Sequence, residues 1–280
     1  METLRLGSSA RDLKSCQFWL SVVAEFLGTF LLVFIGFGTA YNNMNPVKLG
    51  LGFGFAGIVV IYCIGPISGG HINPAVSFGL LIAREISLAK FIIFSIIQIL
   101  GASAGFGMIY GVSGKGVLHK SFLRFNISNT SIRIDEVIHR VENPAFKILC
   151  EMVITFVLVF TVMRLCVEKT RTSTEKGLAP LVIGLAIAVG VFCGMNISGG
   201  SMNPAASLGK YFYAGSTTIW THIIGPLSGG AIAGLLYQLM FTSQISRSHI
   251  RSYLFDSDFV SFPSSVDYSQ PKNEELTEKL

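Results

Sequence analysis

The chain has 280 residues, 51% hydrophobic and only 13% charged, with a mean hydropathy of +0.60. A soluble chain carries roughly 25% charged residues, so this composition describes an integral membrane protein and not a soluble enzyme with a large core. The net charge of +5 is modest and spread over loops and tails, which argues against nucleic acid as a partner.

Residues 1–17 carry Arg5, Arg11, Asp12 and Lys14 before any apolar run. No small-residue cleavage pattern follows an early apolar core, so this is read as a cytosolic tail and not a secretory signal. Six apolar stretches follow, at about 18–40, 50–66, 88–111, 146–167, 178–195 and 217–242. A spanning helix needs about 20 residues, which puts the second and fifth at the short end. The spans form two halves, 18–111 and 146–242, joined by a polar loop at 112–145, and residues 243–280 read as a disordered cytosolic tail. Glycines recur where helices would cross: Gly28, Gly36 and Gly38 in the first span, Gly50, Gly52, Gly54 and Gly57 in the second. Gly101, Gly105 and Gly107 follow in the third, and Gly225, Gly229, Gly230 and Gly234 in the sixth. In lipid, helix association relies on such close backbone approach. The five cysteines lack CxxC spacing and read as small hydrophobes, with no disulfide framework and no metal site expected.

One phrase occurs twice, as Ser68-Gly-Gly-His-Ile-Asn-Pro-Ala75 and as Ser198-Gly-Gly-Ser-Met-Asn-Pro-Ala205. Each copy follows a span that ends in a short polar break, and each precedes too few apolar residues to cross a bilayer. A lone Asn-Pro pair marks only a turn or helix start. Two copies in matched context indicate two broken helices, and three spans per half invert the second copy relative to the first. Asn is a strong N-cap and Pro suits the first helical position. With the side-chain oxygen so engaged, the amide groups of Asn73 and Asn203 point away from their helices. Two such donors meeting at mid-membrane suit one permeating water oxygen. Each half-helix also adds roughly half a positive charge at its N-terminus, which disfavours cations but not neutral water.

These features resemble the aquaporins of the major intrinsic protein family. The resemblance rests on both boxes (Asn73, Pro74, Ala75; Asn203, Pro204, Ala205), on Ala24-Glu25-Phe-Leu-Gly28-Thr29, and on Gln98, Glu151 and Gly225-Pro226. It covers about residues 18–242. It implies an all-α membrane fold of six transmembrane helices plus two re-entrant half-helices in an inverted repeat, with one pore per protomer and a homotetramer. Glu25 and Glu151 lie within apolar spans, where ionisable groups are costly. They read either as a proton-relay pair or as acceptors for loop backbone N–H groups, and the repeat and the resemblance both favour the second. His71 and Gln98 are assigned to the same loop-bracing role.

The family's outer filter normally combines an aromatic residue, often a histidine, a small residue and an arginine. Its matching positions here are Phe53, Val191, Gly200 and Ala206. Alanine in the arginine's place predicts a wider aperture, poorer in donors and without a fixed positive charge. That charge would raise a cation's energy by about 4 kcal/mol at about 4 Å and an effective dielectric near 20. Lys210, four residues on, is not expected to substitute. Solute signals are mixed: Ser207 stands where glycerol-conducting members usually carry Asp, and His222-Ile223 replaces paired aromatics before Gly225-Pro226.

Thirteen of the 21 Lys and Arg residues fall on the side holding the tails, which places both termini in the cytoplasm. Asn126 and Asn129 open glycosylation sequons in the 112–145 loop, usable only outside. The reading is a passive plasma-membrane channel for water, also admitting small uncharged solutes such as glycerol or urea. Its partners are those solutes and the lipid bilayer; no cofactor, metal or enzymatic activity is expected. The rivals are a weakly cation- or proton-conducting channel, suggested by Ala206, and a closed-pore structural or adhesive membrane protein.

Overall fold

The computed structural model describes residues 9–39, 45–113, 143–167 and 172–241. The sequons at Asn126 and Asn129, most of the 112–145 loop and the 243–280 tail lie outside the described residues. A short helix α1 (Ser9–Leu13) precedes α2 (Cys16–Gly38), α3 (Pro46–Ser68), α4 (Pro74–Ile82) and α5 (Leu88–Ser113). The second half contains α6 (Pro144–Val162), which runs into a π turn at Met163–Val167, then α7 (Ser173–Gly194), α8 (Pro204–Ala214) and α9 (Thr221–Phe241). Among the described residues, six helices (α2, α3, α5, α6 with its π turn, α7 and α9) are long and apolar enough to cross a bilayer. The half-helices α4 and α8 have 9 and 11 residues, about 13–17 Å at roughly 1.5 Å per residue, and cannot.

Local capping explains where these helices start. All four Asn-Pro pairs of the chain open a helix: Asn45, Asn73, Asn143 and Asn203 each cap it with a side-chain oxygen, and the proline behind each occupies the first turn. Asn45 Oδ1 accepts from Val47 N at 2.8 Å, and Thr172 with Glu175 forms a reciprocal capping box. These caps correct the expectation that the second and fifth spans are short. Their helices have 23 and 22 residues, because they begin in polar sequence that hydropathy does not count.

The halves interlock. Helix α2 packs on α3 and α5, α6 on α7 and α9, and α3 crosses α7 between halves. Each half-helix lies against the opposite half, α4 on α9 and α8 on α5. Glycine makes these crossings possible. A Cβ on Gly54 would sit 2.9 Å from the Gly184 carbonyl oxygen, and one on Gly184 would sit 2.6 Å from the Gly54 oxygen. Gly230 and Gly234 face the α4 backbone at Ala75 and Gly79 in the same way. Gly38 is a correction, since nothing lies within 4 Å of its missing Cβ and it mediates no crossing. Large apolar side chains such as Trp19, Val23, Phe55, Val59 and Tyr62 cover the outside, as lipid contact requires. All five cysteines are free.

The two kinds of glycine separate experimentally. Gly184→Leu forces α3 and α7 apart and lowers the thermal stability of detergent-solubilised protein by about 2 kcal/mol or more. Gly38→Ala at an open position is neutral or stabilises slightly. Equal effects in a thermal melt would contradict the crossing geometry.

Candidate functional site

The site is built where α4 and α8 begin. Asn73 Oδ1 accepts from Ala75 N at 2.8 Å; Asn203 Oδ1 accepts from Ala205 N at 3.0 Å and Ala206 N at 3.4 Å. The amide nitrogens then reach across the centre. Asn73 Nδ2 donates to the Met202 carbonyl and Asn203 Nδ2 to the Ile72 carbonyl, each at 2.9 Å. An Asn amide carries two hydrogens, so each side chain retains one beyond this cross-link. Both residues line the same cavity.

The two acceptor carbonyls come from strained backbone. Ile72 has φ 44° and Met202 φ 52°, left-handed conformations that a bulky side chain rarely adopts. The surroundings must offset about 1–3 kcal/mol at each. Glu25 and Glu151, both 0% exposed, supply much of that support. Glu25 accepts from Ser68 Oγ (2.6 Å), His71 N (2.9 Å), Ile72 N (2.7 Å) and Gln98 Nε2 (2.7 Å). Glu151 accepts from Ser198 Oγ (2.7 Å), Ser201 N (3.0 Å) and Met202 N (2.8 Å). Each carboxylate thus ties down the segment that leads into the half-helix of its own half. His71 Nδ1 lies 3.0 Å from Ser77 Oγ, and Gln98 Nε2 lies 3.3 Å from the same hydroxyl.

The second half repeats this arrangement with different residues. Ser201 takes the place of His71, and its Oγ lies 2.6 Å from Ser207 Oγ. His222 reaches in from α9: its Nε2 is 2.6 Å from the Ser198 carbonyl oxygen and 3.9 Å from Glu151 Oε1. A carbonyl only accepts, so Nε2 carries a proton. Sequence reasoning noted His222 only as a lost aromatic. Ser201 could have been found by aligning the two repeats, whereas the Ile72 and Met202 carbonyls leave no signal in side-chain identity.

A cavity of about 450 Å³ runs past both asparagines, with Cys166 and Ile183 towards one end and Ser216 and Thr217 towards the other. Phe53, Val191, Gly200 and Ala206 all line it. Phe53 stands edge-on against Phe37, with ring centroids 5.0 Å apart. The structure changes the account of Gly200. With φ +60°, its missing Cβ would meet Val191 Cα at 3.0 Å and Met195 N at 3.1 Å, so it points at α7 and not at the cavity. Its small size serves the loop's approach to α7 and adds nothing to the width. Lys210, one helical turn from Ala206, also lines the cavity.

Six spanning helices around two opposed half-helices, capped by paired asparagines over one cavity, define a membrane channel of the inverted-repeat class. The chain belongs to the major intrinsic protein family, whose model matches residues 12–237. It is 36% identical to aquaporin-4 of Mus musculus over 237 residues, covering 81% of this chain and 69% of that one. Aquaporin-5 of Sus scrofa is 32% identical over 245 residues, covering 85% and 87%. Among solved structures, the aquaglyceroporin from Plasmodium falciparum superposes with a TM-score of 0.65 at 25% identity, covering 78% of this chain and 95% of that one. The protein is therefore an integral multi-pass membrane channel of this family.

The brace makes a direct prediction. Glu25→Leu strands the donors of Ser68, His71, Ile72 and Gln98 in an apolar interior and destabilises the protein by about 3 kcal/mol or more. Glu25→Gln keeps one acceptor oxygen and loses less. Thermal melts in detergent that rank Gln below Leu would overturn the bracing role.

Proposed function

We propose that the protein is a passive plasma-membrane channel for water that also admits small uncharged solutes such as glycerol or urea. The observation that carries this reading is the facing pair Asn73 and Asn203, each with one amide hydrogen beyond its cross-link and both on the cavity wall. Two donors can serve the two lone pairs of one passing water oxygen, which orients that water and breaks its hydrogen-bonded chain with its neighbours. The N-termini of α4 and α8 add like-signed half-charges at the same place, so a cation would meet repulsion there. Phe53, Val191 and Ala206 form the constriction, in which an alanine methyl leaves room that an arginine would fill.

The channel domain spans 18–242 between cytoplasmic tails 1–17 and 243–280, with the 112–145 loop outside. The glycine-rich bundle and its apolar outer faces support a homotetramer with one pore in each protomer. Mass measurement in mild detergent, before and after glycosidase treatment, reads both points. Four protomers are expected, with a loss of mass if Asn126 or Asn129 carries sugar; a monomer that still conducts water would end the tetramer reading.

Swelling of vesicles reconstituted with the full chain tests the function. Wild-type vesicles should swell well above protein-free controls in a water gradient and take up glycerol or urea. Ala206→Arg should cut the ratio of glycerol to water permeability by about tenfold, a difference of about 1.4 kcal/mol. Wild-type protein that passes water but neither glycerol nor urea rules out the wide constriction. Wild-type protein that passes no water rules out the channel.

A further inference from the structure

We propose that His222 is a selectivity residue of this pore: by donating Nε2–H to the Ser198 carbonyl it withholds that acceptor from passing solutes and fixes the wall beside the constriction. The proposal rests on the channel reading above and assigns a positioning residue within it.

The inverted repeat shows what is unusual about this side chain. Helix α5 crosses α2 at Gly101, whose missing Cβ would meet the Phe26 carbonyl; α9 crosses α6 at Gly229, whose missing Cβ would meet the Met152 carbonyl. Phe26 and Met152 each follow the bracing glutamate of their half, so Gly101 and Gly229 are equivalent positions. Three residues before them stand Gln98 and Pro226. Gln98 gives Nε2 to Glu25 Oε2 at 2.7 Å, whereas proline has no side-chain donor to offer Glu151. One turn earlier the equivalent pair is Phe94 and His222. Phe94 is fully buried, its ring edge-on to His71 with 5.1 Å between centroids; His222 lies on the cavity wall instead. The second half has exchanged a buried apolar ring for a hydrogen-bonding one that borders the solute path.

Its contacts define what it does there. Nε2 is 2.6 Å from the Ser198 carbonyl oxygen and 3.9 Å from Glu151 Oε1, so its proton serves the carbonyl and not the carboxylate. Nδ1 stands 3.4 Å from Thr221 Oγ1, whose own hydrogen goes to the Thr218 carbonyl at 2.8 Å. A Cβ on Gly199 would lie 3.5 Å from Nε2, and the next residue, Gly200, abuts Val191. His222 thus meets the loop beside the constriction that Val191 helps to form, and Ser198 is on the cavity wall with it. A bare carbonyl in that apolar surrounding would bind the hydroxyl or amide hydrogens of a passing solute, and the imidazole N–H takes the place of such a hydrogen.

The test compares wild type, His222→Gln, His222→Phe and His222→Ala as full chains in vesicles, measuring glycerol and water permeability per inserted protein. His222→Gln keeps an N–H within reach of Ser198, His222→Phe keeps a ring without the donor, and His222→Ala keeps neither. The Phe and Ala variants should raise the ratio of glycerol to water permeability by about fivefold, the net worth of one hydrogen bond, while His222→Gln stays near wild type. A ratio that is unmoved or falls in His222→Phe overturns the proposal and leaves the channel reading standing. So does a His222→Gln that shifts as far as His222→Phe, because the hydrogen bond is then not the cause. Loss of water flux in both His222→Phe and His222→Ala, with recovery in His222→Gln, assigns the N–H to folding and also overturns it. A wild type that conducts no water at all removes the channel reading, and this proposal with it.

Discussion

The structure depends on satisfying the backbone of two re-entrant segments in a place with no water to do it. Residues 69–73 and 199–203 are non-helical, and each lies beside a half-helix start at the centre of the bundle. In a bilayer, unpaired N–H groups there cost several kcal/mol each. Glu25 and Glu151 answer that cost by accepting from His71 N and Ile72 N on one side and from Ser201 N and Met202 N on the other. A carboxylate is expensive to bury, but one with three or four donors to its oxygens is far less so. Because these braces hold Ile72 and Met202 in left-handed backbone, they also aim the carbonyls that receive the opposing asparagines. The carboxylates therefore position the paired amides without facing the cavity.

The two halves depart from repeat symmetry in what surrounds each brace. Around Glu25 the donors are Ser68, Gln98 and the loop backbone; around Glu151 the glutamine has no counterpart, and His222 stands nearby, bonded to the Ser198 carbonyl. The His71–Ser77 contact is matched by Ser201–Ser207, two hydroxyls in place of an imidazole and a hydroxyl. Small residues gather on the same side, at Gly200 and Ala206, with Lys210 a turn beyond. One half of the duplicated scaffold keeps the bulkier, buried polar set, and the other carries two hydroxyls and a small residue at 206. Such a division is physically reasonable, since bracing tolerates little variation in geometry while a pore wall can change one side chain at a time.

Glycine has two separate functions in this fold. At Gly54, Gly184 and Gly230 it removes side chains so that helix backbones touch, the form of association lipid permits. At Gly69, Gly70, Gly199 and Gly200 it provides positive φ where each span turns into its re-entrant loop. Gly200 does both, as its Cβ would collide with the α7 backbone. Reading it as an aperture-widening residue confuses a backbone requirement with a pore property.

The sequence by itself determined the fold class, the six spans, the two half-helices and the inversion between halves. Each rests on a local or countable property: apolar length against bilayer thickness, Asn-Pro capping, and an odd number of crossings. It also named Asn73, Asn203, Glu25 and Glu151, because duplication placed them in matched context, while Phe53, Val191 and Ala206 were named by the resemblance to the family's filter. Tertiary structure decided what hydropathy cannot sense, the rotation of each helix about its axis. In membrane helices that are apolar all round, no hydrophobic stripe announces which face meets the cavity. Only packing showed that the face shared by Ala206 and Lys210 meets the cavity, that Gly200 turns toward α7, and that His222 reaches the Ser198 carbonyl. Only the meeting of two loops far apart in the chain showed that each asparagine is held by the other loop's backbone. Those contacts depend on where the two inverted halves touch, a relation that no single stretch of sequence contains.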